Sequence, residues 1–117
     1  MDIESLSEAY LRNYRLGTEE DFWAFEDVVE MCNEYQGGVD VSLALIQKAE
    51  NDMELAYVAA GPVEDTVKWH GLKAWQQFER AAKNSEKVER ALTGVWLSQE
   101  HEAYPAWVCF IQNHSSL

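Results

Sequence analysis

The segment Thr18-Glu19-Glu20-Asp21-Phe22-Trp23-Ala24-Phe25-Glu26-Asp27-Val28-Val29-Glu30-Met31-Cys32-Asn33-Glu34-Tyr35 decides the fold class. Thr18 is a good N-cap residue, and three acids follow it in a first turn where the helix macrodipole favours negative charge. Phe22, Phe25, Val28, Val29, Cys32 and Tyr35 recur at the three- and four-residue spacing of one helical face. The spacing predicts one helix over 18–35 with that stripe in the core, stopped by Gln36-Gly37-Gly38. At 100° per residue, Glu19, Glu20, Glu26, Asp27, Glu30 and Glu34 crowd into an arc of about 120° on the opposite side. No basic residue lies among them. Trp23 sits in the middle of the arc, with acids at i−4, i−3, i+3 and i+4.

The same punctuation continues in both directions. Ser5-x-x-Glu8 reads as a capping box ahead of Leu6, Tyr10 and Tyr14, and Gly17 closes that helix. Asp40 is the expected cap of a third helix carrying Val41, Leu45, Ile46 and Ala49. A short helix over 53–60 should end at Gly61-Pro62, with Pro62 opening the next helix and His70-Gly71 closing it. Leu72, Trp75, Phe78 and Ala82 form a further stripe. Asn84-Ser85 restarts the chain before Val88, Leu92, Val95 and Trp96, and Pro105 opens a last helix. No alternating strand pattern interrupts this series. The expected fold is one all-α domain over 1–117, with acidic N-terminal helices over 1–52 and a motif-bearing region over 53–117. Six to eight short helices are expected, stacked as hairpins in a small solenoid-like bundle.

Charge is distributed unevenly. The net charge is −12, yet residues 1–65 hold sixteen acids against three bases, Arg12, Arg15 and Lys48. Residues 66–117 hold five acids against six bases. This balance speaks against direct binding to nucleic acid or an anionic membrane, both of which require cationic neutralisation. An apolar content of 47% excludes an acidic disordered tail. The acidic start lacks the basic and apolar regions of a secretory leader, and no span-length apolar run follows. Cys32 and Cys109 match no metal or disulfide spacing, so both are expected as reduced, mostly buried thiols of a cytoplasmic protein.

Gly61-Pro62-Val63-Glu64-Asp65 followed by His70-Gly71 is the most motif-like stretch. Glu64 and Asp65 suit the first turn of a helix beginning near Pro62, and His70 suits its last turn. With Phe78-Glu79-Arg80-Ala81-Ala82 and Ala91-Leu92-Thr93-Gly94-Val95-Trp96, these blocks resemble a family of small, uncharacterised bacterial helical domains. That family's pattern runs Gly-Pro-Leu-Glu-Asp, then His-Gly, then Ala-Leu-x-x-Val-Trp. The chain departs from it at Val63 and at Thr66-Val67. The resemblance spans residues 55–112 and implies an all-α fold without assigned catalytic residues. It leaves the acidic N-terminal helices outside, as an addition particular to this chain.

No nucleophile–base pair, zinc helix, phosphate loop or dinucleotide fingerprint is present in the sequence, so neither a metal nor a cofactor is expected. An enzyme would have to assemble from Glu64, Asp65 and His70. The acidic, aromatic helix points elsewhere, to an inhibitor that neutralises a basic protein. Glu19, Glu20, Glu26, Asp27, Glu30 and Glu34 would steer the encounter and Trp23 would anchor it. An immunity protein or antitoxin facing a toxin with a cationic cleft fits this pattern. A phage-type anti-defence inhibitor that mimics nucleic acid would use the same physics.

Overall fold

Helix caps and two left-handed glycines set the boundaries in the computed structural model, which describes residues 2–114. Helix α1 runs Ile3–Leu16 and is capped one turn earlier than the sequence pattern suggests. Asp2, not Ser5, is the cap, its Oδ1 accepting the Ser5 N–H at 2.7 Å. Gly17 closes α1 with φ +64°, its N–H donating to the Asn13 carbonyl. A 3₁₀ turn over Glu19–Asp21 leads into α2, Phe22–Met31, and α3 follows at Tyr35–Lys48. Asn51 caps α4, Asp52–Val58, by accepting the Glu54 N–H. Beyond α5, Glu64–His70, lie α6, Leu72–Ala82, α7, Glu86–Leu92, and α8, Tyr104–His114. Every regular element among the described residues is helical, without strands, and seven rods result when 52–70 is taken as one.

Two predicted break points lie within helix, the first because the break between α2 and α3 comes earlier, at 32–34. Gly37 and Gly38 do not stop anything; both lie in the first turn of α3, which also contains Asp40. Gly38 serves close packing instead. A Cβ there would stand 2.6 Å from Thr66 Oγ1 and 3.1 Å from the Cys32 Cα, so α3 can cross α2 and α5 only with glycine at this position. Gly61-Pro62 likewise fails to separate helices, because Ala59–Val63 forms a π-helical turn between α4 and α5. Proline lacks an N–H, and the wider π turn lets the helix pass it without a break. The Pro62 carbonyl is used twice, accepting from Thr66 Oγ1 at 2.7 Å and from Cys32 Sγ at 3.6 Å.

Helix α3 is the hub, packed against α1, α2, α4, α5, α6 and α7. Val41, Leu45, Ile46 and Ala49 are buried as their spacing predicts. Trp75 and Phe78 of α6 are fully enclosed, with Phe110 of α8 edge-on to Trp75. Trp96 departs from expectation. It is 62% exposed, because α7 ends at Leu92 and the following segment turns its neighbours Val95 and Leu97 inward instead. Cys109 is also exposed, whereas Cys32 is buried. Burial drives the Cys32 thiol up to about 11, so it stays protonated and unreactive.

Candidate protein interface

The acidic segment is not one helix. Glu19 and Glu20 belong to the 3₁₀ turn, Glu26, Asp27 and Glu30 to α2, and Glu34 to the extended residue before α3. The buried line of α2 is Ala24, Val28 and Cys32. It lies about 50° around the helix from the centre of the aromatic stripe read from the sequence. The small Ala24 lets α2 settle closely against α1 and α3, and this choice of contact turns the helix.

The rotation exchanges two sets of side chains. Trp23 swings inward and is half-buried against the core. Phe22 and Val29, expected inside, come out to 51% and 43% exposure. Phe22 stacks on Phe25 with ring centroids 5.6 Å apart, and Phe25 stacks in turn on the buried Tyr10 at 6.1 Å. The exposed ring is thus the outer end of an aromatic column rooted in the core. Beside it stand Glu26, Asp27 and Glu30, which with Phe25 and Val29 line a shallow surface depression.

Ion pairing elsewhere isolates this edge. Arg12 holds Asp21 through two hydrogen bonds, at 2.8 and 2.9 Å. Arg15 grips the buried Glu54 at 2.6 and 2.8 Å and also faces Glu50. Lys48 bridges Glu4 and Glu8. All three bases of the first 65 residues are therefore committed to acids of other elements. None of Glu19, Glu20, Glu26, Asp27, Glu30 or Glu34 forms an ion pair among the described residues, and all six are exposed.

The motif residues point in separate directions. Both oxygens of Glu64 are occupied, by Lys68 Nζ at 2.9 Å and by the Trp96 N–H at 3.1 Å. Asp65 faces a narrow cleft of about 70 Å³ with Tyr10, Cys32 and Gly61, where burial raises its carboxyl above the ordinary range. His70 Nε2 donates to the Cys32 carbonyl at 2.9 Å, tying α5 to the end of α2. Gly71 has φ +72° and ψ −149°, and a Cβ there would collide with the Glu102 carboxylate. Glu102 accepts the Leu72 N–H and so caps α6 in place of a local residue. Since 52–70 is unbroken, Glu64 and Asp65 do not lie at a free helix N-terminus as expected. No trio of His, Cys, Asp or Glu among the described residues is placed to hold a metal.

The sequence reading missed Phe22 and Val29 as surface groups. The overlooked signal was Ala24, whose small side chain marks the contact line of α2.

Residues 12–113 match the Family of unknown function (DUF6869), and the chain belongs to that family. The acidic helix therefore lies inside the family domain, not outside it as the shorter resemblance implied. No curated protein and no solved structure matches the chain significantly. No helix among the described residues is long and apolar enough to cross a membrane.

Proposed function

We propose that this protein is an inhibitor that binds a basic protein through the acidic, aromatic edge of α2, acting as an immunity protein or antitoxin. One observation carries the reading. The acidic half commits its three bases elsewhere and leaves six carboxylates unpaired beside an exposed phenylalanine. Such an edge repels itself in the free protein and is relieved by a cationic cleft. The charges act chiefly on encounter, whereas Phe22 and the half-buried Trp23 supply apolar area that is desolvated on docking. Toxins that cleave nucleic acids have cationic clefts of the kind that such an edge would fill.

The test is co-purification from the native host, followed by binding kinetics with the recovered partner. A basic protein in stoichiometric amount is expected. Phe22→Ala should weaken its binding by at least about 2 kcal/mol. Reversing Glu26, Asp27 and Glu30 to Lys should slow association and flatten its salt dependence. Recovery of a neutral or acidic partner, or a partner indifferent to both changes, would overturn the reading. A toxin gene beside this one would favour immunity, and phage genes would favour an anti-defence role.

A further inference from the structure

The segment between α7 and α8 is pinned to α5 and α6 by three side-chain hydrogen bonds. Glu64 accepts the Trp96 N–H, Glu102 accepts the Leu72 N–H, and His101 Nε2 donates to the Lys68 carbonyl at 3.3 Å. His101 Nδ1 also accepts the Ala103 N–H at 3.0 Å, which fixes its tautomer. The motif residues Glu64 and Gly71 thus serve to hold this segment in place. What it holds outward is Trp96. The rings of Trp96, Tyr104 and Trp107 line one open hollow of about 370 Å³. Tyr104 and Trp107 stand 5.5 Å apart, and Trp107 is locked by its indole N–H on the Val95 carbonyl at 2.9 Å. Leu97, Ser98, Gln99 and Glu100 complete the wall. Their side chains make no hydrogen bond among the described residues, and no basic residue lines the hollow. The neighbouring Lys68 is held by Glu64.

We propose that this hollow binds the guanidinium of an arginine side chain presented by a protein partner. Three aromatic rings and one carboxylate suit a cation with a flat, weakly hydrated face. A guanidinium stacks on an indole while its edge offers donors, and Ser98, Gln99 and Glu100 offer acceptors to match. A lysine ammonium is a compact, strongly hydrated charge that would lose more water than one carboxylate replaces. A neutral apolar ligand would leave Glu100 unused, and an anion would face it. The hollow shares no lining residue with the α2 edge and stands or falls separately from the inhibitor reading.

The experiment follows the tryptophan indole resonances of the full chain by NMR during titration with N-acetyl-arginine methylamide. N-acetyl-lysine methylamide and the uncharged isostere N-acetyl-citrulline methylamide serve as comparisons. The Trp96 signal should shift saturably with the arginine compound, and at least about fivefold more weakly with each of the others. Glu100→Gln should weaken arginine binding several-fold, and Trp96→Ala should abolish the response at Trp107 while leaving the melting temperature unchanged. The proposal is overturned if citrulline binds as well as arginine, or if Glu100→Gln has no effect. It is equally overturned if no saturation appears by about 100 mM, beyond the reach of a weak millimolar site. Shifts confined to Trp23 would place the guanidinium on α2 and also refute it, while leaving the inhibitor reading intact.

Discussion

Replacing Gly38 by alanine separates a packing glycine from a helix stop. An alanine in a helix interior is favoured over glycine by about 1 kcal/mol, so on propensity alone the change should stabilise α3. The contacts oppose it. The new Cβ would lie 2.6 Å from Thr66 Oγ1, 2.9 Å from Thr66 Cγ2 and 3.1 Å from the Cys32 Cα. Thr66 is fully buried and held by its bond to Pro62, and the Cys32 contact is backbone, so neither can yield cheaply. Overpacking of this kind costs about 1–3 kcal/mol, and losing the Thr66 hydrogen bond adds roughly 1. The net expectation is a loss of about 1–3 kcal/mol. At roughly 4 °C per kcal/mol for a chain of this length, the melting temperature should fall by about 4–12 °C. Gly37→Ala meets the Met31 backbone carbonyl at 3.3 Å, a milder contact that offsets much of the propensity gain, so stability should change by less than about 0.5 kcal/mol. Urea denaturation of both variants, with Thr66→Ala added to Gly38→Ala as a coupling test, measures these terms. Equal stabilisation by the two alanines would refute the close α3–α5 crossing.

Other outcomes follow from burial and charge. Trp75→Ala should cost about 3–5 kcal/mol, as buried aromatic truncations do, whereas Trp96→Ala should stay within about 0.5 in thermal denaturation. Asp65→Asn should melt at or above the wild type at neutral pH, because it removes a charge that burial disfavours. Since the Asp65 carboxyl is raised in the fold, acidification through its range favours the folded state, and the variant should lose that gain. Glu54 behaves oppositely. The Arg15 hydrogen bonds hold its carboxyl below the ordinary 4.5, so its contribution is complete above that pH and disappears as pH falls through the lowered value. Arg15→Gln should therefore cost about 1–3 kcal/mol at pH 7 and shrink the acid-induced loss, read from denaturation at pH 3 and pH 7.

Much of the helix inventory was legible because it rests on local chemistry. Gly17, Ser85 and Gly71 mark true boundaries, the α3 stripe is buried as spaced, and so is the α6 stripe apart from the exposed Leu72. Failures arose where tertiary contact overrode local signals. Gly38 reads as a breaker until Thr66 is seen against it, and Gly61-Pro62 reads as a break until the π turn carries the helix through. Trp23 and Phe22 exchanged places because a helix with aromatics on two sides does not declare which one faces its neighbours. The acids of the candidate interface were legible individually. Their isolation was not, since it depends on where Arg12, Arg15 and Lys48 reach across the fold.

Hydrogen–deuterium exchange of the complex with the recovered basic partner tests the central claim most directly. Protection concentrated in residues 19–34, and reduced by Phe22→Ala at limiting partner, is the predicted result. Protection confined to other elements, with 19–34 exchanging as in the free protein, would contradict it.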